Sequence, residues 1–490
     1  MGPGFAHGAH GRFVVSRRRL VLGLVASGGA ALLAACGGAP AGTSEPTKPP
    51  EKPAAAQSGE ASKPPGSTPA AAPAAAGTKK VDVVYVEWGE DERWMNAAVN
   101  KFNEENPDVN LIHQVEPSAQ YLEKMVARFR AGVKTDVPQV RDNQFAAWAD
   151  AGFLQPIDGL NGLADLDADT FKENLEAMSY GGKRYGLVYY TDYMGYHWNK
   201  KLAADAGITA PPETYDEVRD DALKIKDKKL AEYPVFHQID KASNGFLMWL
   251  YWTMLYGSSG HAFDQNNDPL FPDKDETTLQ IAQWLTDAIQ KWKILSANDM
   301  QPSTGMDRMA AGEAVFTHNA SYMLIRWPNE KQTKVPGQID MIAVPTFKKK
   351  ERFPEGTVMW TRMYALASKT DVKDQAWRAM YFLGGKNKEG KYWNSLNWLQ
   401  NDFKYTGFKS FRDTPEAQAV TKKYGDPKLV ASLSAVARAR EALKEPWWTD
   451  WDVFHQGELQ AAMLGKKTPL EAVKASAAEA KRLKGEYAKK

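Results

Sequence analysis

The chain has 490 residues, a length that predicts two or more lobes rather than a single ordinary domain. Its 62 basic and 60 acidic residues leave a net charge of +2, a near balance that gives no reason to expect a nucleic-acid partner. The single cysteine excludes an intramolecular disulfide and a CxxC metal site, and the eight histidines lack zinc-binding spacing, so the sequence predicts neither a metal nor a cofactor.

Residues 1–35 have the layout of an export signal. Arg17–Arg19 form a positive segment, and the apolar run Leu20–Ala35 has about sixteen residues, fewer than the about twenty of a membrane span. The segment Ser16–Val21 resembles the twin-arginine export motif. We therefore expect the chain to be exported by the twin-arginine route.

The stretch Leu33-Ala-Ala-Cys36 resembles the bacterial lipobox. That resemblance implies that Cys36 receives a diacylglyceryl group and becomes the first residue of the mature protein. Two acyl chains, at about 0.8 kcal/mol per buried CH₂, suffice for stable anchoring, so the expected location is the outer face of the cytoplasmic membrane. The alternative is a secretory signal with an incidental cysteine nearby.

Residues 36–79 are expected to be a disordered tether. From Gly37 to Thr78 the chain contains no aromatic residue and no Ile, Leu, Val or Met. Such a segment cannot bury enough apolar surface to fold. About forty residues of coil span roughly 35 Å, which clears a membrane surface and lets an attached domain swing.

Strand and helix patterns alternate in the next segment. The strand patterns are Val81–Val86, Val109–Val115 and Val137–Val140, and the helix patterns are Trp94–Phe102, Tyr121–Phe129 and the segment through Trp148. This β-α-β-α-β order predicts an α/β fold with a mostly parallel sheet and helices on both faces. Ligands of such sheets bind at the carboxyl ends of the strands, so the segments Glu87–Asp91 and Arg141–Gln144 are expected near a ligand. Within them, Trp88–Asp91 and Asp142–Gln144 are expected to form the loops after the first and third strands.

A second series of elements follows. Its strand patterns are Met194–Trp198, Ala314–Thr317 and Ile339–Val344, and Glu276–Lys293 is a long helix pattern. Gly207 is a stop signal for the short helix before it. Thr214 is an expected N-cap with Glu217 three residues on, the spacing of a capping box. The C-terminal third is predicted to be mainly helical.

The segment Tyr185–Glu217 carries a family resemblance. It contains Y-G-L-V, then M-G-Y-H-W-N-K-K-L-A-A-D-A-G-I, then P-P-E-T-Y-D-E, and this order is similar to the central signature of the family-one extracellular solute-binding proteins of ABC importers, the group that contains maltose-binding protein. Further landmarks of that family match at Ala310–Asn319, Val344–Phe347 and Leu464–Val473. The resemblance covers nearly all of residues 80–490.

The resemblance implies a periplasmic-binding-protein-like fold of two α/β lobes, joined by a multi-strand hinge and closing on a ligand between them. Crossings between the lobes are placed near Tyr189–Tyr193, Val344–Lys348 and Thr406–Arg412. Each lobe is therefore discontinuous. The N-terminal lobe comprises residues 80–190 and 345–408, and the C-terminal lobe comprises residues 191–344 and 409–490.

The resemblance also implies a set of ligand-binding residues. They are Trp88, Glu90, Asn143, Gln144, Asp192, Asn319, Tyr322, Trp360, Arg362 and Trp448. Tyr322 is the aromatic ring expected to stack on a sugar, and Asp192 is the carboxylate expected at a crossing. Asn143-Gln144 replaces a common acid-plus-arginine arrangement of the family. Which of Trp447, Trp448 and Trp451 closes the cleft stays open.

Several of these residues have purely structural alternatives. A tryptophan on an amphipathic helix usually belongs to the core, which is the prediction for Trp94, Trp148, Trp284 and Trp377. Glu90 suits the acidic first turn of a helix, where it favours the helix dipole. The structural alternative for Arg362 is to hold the two lobes together.

The residue types suit a carbohydrate. Carboxylates, amides and guanidinium groups satisfy hydroxyls in pairs, and aromatic rings match the apolar faces of a pyranose. The expected function is a monomeric, non-catalytic, lipid-anchored receptor that delivers a sugar or oligosaccharide to an ABC permease. One alternative is the same scaffold for a polyamine, a phosphorylated polyol or a peptide. Another is a surface-anchored hydrolase with two carboxyl groups, although no nucleophile elbow, metal motif or P-loop is present.

Overall fold

The computed structural model describes residues 79–89, 92–117, 120–241, 246–301, 307–347 and 356–488. The predicted export signal, Cys36 and the tether up to residue 78 lie outside the described residues, as does Glu90.

The strands are β1 Val81–Trp88, β2 Val109–Glu116, β3 Val137–Arg141, β4 Leu154–Gln155, β5 Ser179–Tyr180, β6 Lys183–Arg184, β7 Gly186–Asn199, β8 Phe316–Ala320, β9 Ile339–Ile342, β10 Thr357–Ala367 and β11 Ala437–Arg438. The first helices are α1 Glu92–Glu105, α2 Tyr121–Ala131, α3 Asp142–Asp150, α4 Leu163–Asp169, α5 Lys172–Ala177, α6 Lys200–Asp205, α7 Tyr215–Asp227, α8 Phe246–Gly257 and α9 Thr277–Gln290. The remaining helices are α10 Asp307–Ala310, α11 Lys373–Gly384, α12 Trp393–Asp402, α13 Lys409–Arg412, α14 Pro415–Tyr424, α15 Pro427–Val436, α16 Trp448–Met463 and α17 Pro469–Tyr487. Short 3-10 turns span Ala297–Met300 and Ser321–Ile325.

The first three strands and helices confirm the predicted β-α-β-α-β order. Strand β1 pairs in parallel with β2 along its whole length and with β3 near its middle. The rest of the main sheet departs from the prediction, because β10 is antiparallel to β3 and β7, and β7 is antiparallel to β8 and β9. The sheet is therefore mixed, in the order β2-β1-β3-β10-β7-β8, with β4 and β11 on β10 and β9 on β7.

Two long strands hold this sheet together. The 14 residues of β7 span roughly 45 Å at the usual rise of a strand. Its first half pairs with β10, and its second half, from Met194 onward, pairs with β8 and β9. All 11 residues of β10 are buried. The predicted strand Met194–Trp198 is therefore the second half of a strand that connects the β1–β3 side of the sheet to the β8–β9 side.

The core holds the helical tryptophans as predicted. Trp148, Trp284 and Trp377 are buried, and Trp94 is partly buried against the core. Helix α8 is apolar on every side, and nearly every residue of it is buried. This is the pattern of a helix inside a large core.

None of the described helices combines the length and the apolarity that a membrane crossing requires.

Local capping signals act where the sequence places them. Helix α6 is capped by Asn199, and Gly207 beyond its end has a φ of 79°, in the left-handed region that favours glycine. Helix α7 begins with a complete capping box. The Thr214 hydroxyl accepts from the Glu217 amide at 3.1 Å, and the Glu217 carboxylate accepts from the Thr214 amide at 3.2 Å.

Replacing Thr214 tests this capping box. Thr214→Ala removes the acceptor for one N-terminal amide of α7, so we expect the free energy of unfolding in urea to fall by about 1 kcal/mol. Thr214→Ser keeps the hydroxyl and is the control, expected within about 0.5 kcal/mol of the parent. Equal stabilities for the alanine and serine variants would contradict the capping role.

Candidate functional site

The register of β7 and β10 brings three predicted site residues onto one face. Asp192 lies directly opposite Trp360, and Tyr190 lies directly opposite Arg362. Residues opposite each other in an antiparallel pair share a face, and so do residues two apart on one strand. Trp360 Nε1 also donates a hydrogen bond to the Tyr190 hydroxyl at 3.2 Å. Asp192, Trp360 and Arg362 therefore form a single polar and aromatic surface with Tyr190.

Asp142 is a shared acceptor for two arginines. Helix α3 begins directly after β3, so Asp142 stands in the first turn of a helix and not in the loop that the sequence predicted. Its carboxylate accepts from Arg362 Nη1 at 3.0 Å and lies 3.4 Å from Arg440 Nη2. It also accepts from the Thr361 amide at 3.3 Å. All three charged side chains are buried. We call Asp142, Arg362 and Arg440 the arginine cluster.

The structure places the predicted amides Asn143 and Gln144 beside this cluster along the chain. Asn143 donates its backbone amide to the Asp142 carboxylate at 2.9 Å. Gln144 is buried one residue further into α3. The ionic contacts at this strand end are thus made by Asp142, the neighbour of the residues that the sequence singled out.

Arg440 lies between two indole rings. Its guanidinium carbon is 4.2 Å from the ring centre of Trp249 and 4.7 Å from that of Trp448. Trp249 in turn packs on Trp360, with ring centres 4.7 Å apart. Burial lowers the pKa of Arg440. The predicted residues Trp360 and Trp448 are therefore joined through Arg440 and Trp249, neither of which the sequence analysis identified.

Among the three C-terminal tryptophans, Trp448 is the one that contacts the arginine cluster. Trp447 packs against Phe263, and Trp451 stacks on His455. All three tryptophans are almost completely buried, with exposed fractions of 0 to 1 %.

Asp192 is a buried carboxyl group that connects β7 to the end of β8. Its Oδ1 accepts from the Tyr193 amide at 2.7 Å and from the Ser321 hydroxyl, and its Oδ2 has no hydrogen-bond partner among the described residues. Ser321 follows β8, whose residue Asn319 pairs with Gly195 of β7. Burial raises the pKa of Asp192 to about 7.

Lys404 lies among aromatic rings next to this carboxyl. Its Nζ is 4.8 Å from the ring centre of Tyr190, 4.9 Å from that of Trp398 and 5.8 Å from that of Tyr322. It forms an ion pair of 2.7 Å with Asp402. Tyr322 is thus beside a buried cation, and the sequence analysis missed Lys404 because a single lysine carries no local signal.

Trp88 lies at the carboxyl end of β1, within the strand and not in the loop that the sequence predicted. The Arg141 guanidinium is 4.7 Å from its ring centre, and Tyr121 packs against its edge at 5.2 Å. Its ring centre is 6.4 Å from that of Tyr189, the neighbour of Tyr190 in β7. Trp88 is therefore connected to the shared face through aromatic contacts.

Within the described part of the chain, no group of three or more His, Cys, Asp or Glu side chains is arranged to hold a metal ion.

The arginine cluster gives a stability prediction. Asp142→Asn removes a carboxylate that both buried arginines contact, so we expect unfolding in urea to require about 3 to 5 kcal/mol less free energy. Asp340→Asn breaks the exposed Lys200–Asp340 pair, whose side chains are 47 % and 50 % exposed, and is the control, with an expected loss below about 1 kcal/mol. A loss at Asp142 no larger than the loss at Asp340 would contradict the role of the cluster.

Asp192 gives a pH prediction. Because burial raises its pKa to about 7, its contribution to stability is fully present below the ordinary carboxyl value of about 4 and is lost as the pH rises through 7. We expect the free energy of unfolding to fall by on the order of 1 to 3 kcal/mol between pH 5 and pH 8, and Asp192→Asn to remove this part.

Urea titrations at four pH values measure this effect. Burial also raises the pKa of Asp452 to about 7, so Asp452→Asn is the control that leaves the Asp192 contribution in place. An identical pH dependence in Asp192→Asn and in the parent protein would show that Asp192 does not ionise in this range.

Comparisons with known proteins place the chain among binding proteins. Residues 85–387 match the family model described as "Bacterial extracellular solute-binding protein". A relative from Brucella abortus (strain 2308) is named as a binding protein and is 24 % identical over 390 residues. The match covers 77 % of this chain and 87 % of the relative.

Solved structures with a similar fold include maltose-bound T. maritima MalE3, with a TM-score of 0.69 and 18 % identity over 82 % of this chain and 100 % of that one. Lmo0181 from Listeria monocytogenes, in complex with cycloalternan, has a TM-score of 0.69 and 17 % identity over 83 % of this chain and 100 % of that one. A solute-binding protein from Thermotoga lettingae, bound to alpha-D-tagatose, has a TM-score of 0.68 and 21 % identity over 83 % of this chain and 100 % of that one.

These likenesses confirm the two-lobe α/β fold predicted from the sequence. Because the family model spans more than half of the chain, the protein belongs to the bacterial extracellular solute-binding proteins, the substrate-binding components of ABC transporters.

Proposed function

We propose that this protein captures a sugar or oligosaccharide between its two lobes and delivers it to the transmembrane subunits of an ABC importer. The face shared by Tyr190, Asp192, Trp360 and Arg362 carries this proposal, because it combines aromatic rings with paired hydrogen-bonding groups. The ligands named for the solved neighbours are maltose, cycloalternan and alpha-D-tagatose, which supports a carbohydrate.

The lobe boundaries are part of the proposal. Residues 80–190 with 345–408 form the N-terminal lobe, and residues 191–344 with 409–490 form the C-terminal lobe. This division is supported by β7, which changes its pairing partner from β10 to β8 between Tyr193 and Met194. The Thr191 amide also donates to the Tyr405 carbonyl at 2.7 Å, which ties the segment before the proposed crossing near Thr406 to the same strand.

The alternative is an anionic solute on the same scaffold, such as a phosphorylated polyol. Arg440 favours it, because its Nε has no hydrogen-bond partner among the described residues. A polyamine is disfavoured, because the pKa of Asp192 lies near 7, while Asp142 and Asp402 already contact basic side chains. The neutral sugar remains our first choice, because the buried cations already have carboxylate partners.

A thermal-shift panel tests the solute class. Maltose, D-tagatose and D-mannitol represent neutral sugars and polyols, spermidine represents polyamines, and glycerol 3-phosphate represents anionic polyols. A ligand at 100 times its dissociation constant stabilises the folded state by about 2.7 kcal/mol, so a bound sugar should raise the melting temperature measurably. If spermidine or glycerol 3-phosphate raises the melting temperature and none of the neutral sugars and polyols does, the carbohydrate proposal is overturned.

Tyr322 tests the site within that panel. Tyr322→Ala should weaken binding of the responding sugar by roughly 1 to 3 kcal/mol, measured by calorimetry, if the ring stacks on the ligand. Tyr322→Phe keeps the ring and is the control, expected to bind within about threefold of the parent. Unchanged affinity in a folded Tyr322→Ala variant would place the ligand elsewhere.

We further propose that the protein is monomeric, performs no catalysis and is lipid-anchored through Cys36 after export by the twin-arginine route. The order of basic segment, apolar run and lipobox-like stretch in residues 1–36 supports the anchor. Detection of products from a bound sugar would contradict the absence of catalysis and favour the hydrolase alternative.

Cys36→Ser tests the anchor. Without the thiol no acyl group can be attached, so we expect the protein to leave the membrane fraction of expressing cells while its sugar affinity stays unchanged. Palmitate labelling of the parent protein is the matched positive measurement. Retention of the serine variant in the membrane fraction would mean that another segment holds the protein there.

A further inference from the structure

A small cavity lies between the sheet and the first turns of α8. Its wall includes Met194, His237, Phe246, His318 and Asn319, and its volume is about 10 Å³. That is the space of one water-sized group. The cavity adjoins both parts of the proposed site. Asn319 is two residues from Ser321, which binds Asp192, and Leu250 in the cavity wall follows Trp249, which packs on Arg440.

The protonation of His237 follows from its contacts. Its side chain is 1 % exposed, and burial lowers its pKa to about 3, so the imidazole is neutral at physiological pH. The backbone amide of His318 donates to His237 Nδ1 at 3.3 Å. A nitrogen that accepts a hydrogen bond carries no hydrogen, so the hydrogen of the neutral ring is assigned to Nε2. His237 Nε2 has no hydrogen-bond partner among the described residues.

The same reasoning applies to His318. Burial lowers its pKa well below the ordinary value, so this ring is also neutral. His318 Nε2 lies 3.0 Å from the Tyr215 hydroxyl, which has no other partner among the described residues. Either assignment leaves one hydrogen without a partner in the described part of the chain, on the Tyr215 hydroxyl or on His318 Nδ1. His318 lines the cavity, where an oxygen atom can accept, and Tyr215 is not among the residues of its wall, so Tyr215 donates and the ring hydrogen is assigned to His318 Nδ1. That nitrogen, too, is without a hydrogen-bond partner in the described part of the chain.

Two buried N–H groups on the wall of one cavity require an acceptor, since leaving a buried donor unpaired is costly. A metal ion cannot meet this need, because His237 Nε2 carries a hydrogen in place of a free lone pair. An ammonium group offers only further donors. No lysine or arginine is among the described residues of the wall, and the volume is too small for a phosphate or carboxylate group. The remaining partner is one neutral oxygen atom.

We propose that this cavity is a hydroxyl-binding subsite, in which His237 and His318 donate to one neutral hydroxyl oxygen of the solute, and to a water molecule when no solute is bound. The inference rests on the proposed function and deepens it, because it requires a solute that presents an alcohol group at this end. A polyamine, which has no oxygen, does not meet that requirement.

Monodeoxy analogues of the sugar that responds in the panel of maltose, D-tagatose and D-mannitol test the subsite by calorimetry. With the parent protein, one analogue should bind at least tenfold more weakly than the sugar itself. In His237→Phe the sugar and that analogue should bind within about threefold of each other, because the donor is gone. His237→Gln places an amide N–H near the position of Nε2 and should restore part of the discrimination. Equal discrimination by the parent and by folded His237→Phe would overturn the subsite and leave the sugar-binding proposal intact.

Nitrogen NMR on histidine-labelled parent protein provides a second measurement that needs no variant. We expect His237 as the neutral Nε2–H tautomer and His318 as the neutral Nδ1–H tautomer at pH 5, with both signals shifting when the responding sugar saturates the protein. An Nδ1–H tautomer at His237, or signals unmoved by saturating sugar, would overturn the inference. If none of the three neutral ligands raises the melting temperature in the thermal-shift panel, the proposed function and the subsite are both overturned.

Discussion

From Met359 opposite Tyr193 to Arg362 opposite Tyr190, β7 and β10 are held in one antiparallel register. That ladder places Trp360 against Asp192 and therefore decides which side chains share the face of the proposed site. A slip of one residue would turn each of them to the other side of the sheet. The pairing shifts between Arg362 and Met363, and an irregularity of this kind bends a strand and redirects its side chains. Arg362 of the arginine cluster stands directly at this shift.

The buried charges around this face contact one another before any solute arrives. Asp142 contacts two arginines, and Asp402 contacts both Lys404 and Arg326. Ions buried in this way are costly unless they are paired. Apart from Asp402–Lys404, these pairs draw their members from segments far apart in the chain. A neutral solute can then exchange hydrogen bonds and apolar contacts with the site without having to neutralise it. The same pairs join elements that we assign to different lobes, such as α3 and the segment after β11.

Local features of the chain could be predicted from the sequence, and distant pairings could not. The capping box at Thr214 and the strand at Val81 depend on residues within one turn or one strand, and both are present. The family resemblance supplied Asp192, Trp360 and Arg362, which the structure brings together. Arg440 was missed because its contact with Asp142 spans 298 positions, and no local pattern encodes such a meeting. The mixed sheet was missed for the same reason, since the alternation of residues within a strand does not reveal the direction of its partner.

The depressed pKa values of the buried histidines bear on where such a receptor can work. An ordinary histidine changes charge near neutral pH. A receptor that relied on one would change its affinity for a solute whenever its surroundings turned mildly acidic. His237, with a pKa of about 3, keeps the same tautomer and the same donor across that range. An exported protein has no cytoplasmic buffer around it. In the proposed subsite the buried imidazoles would therefore keep donating in an acidified habitat, while Asp192, with a pKa of about 7, gains its proton there.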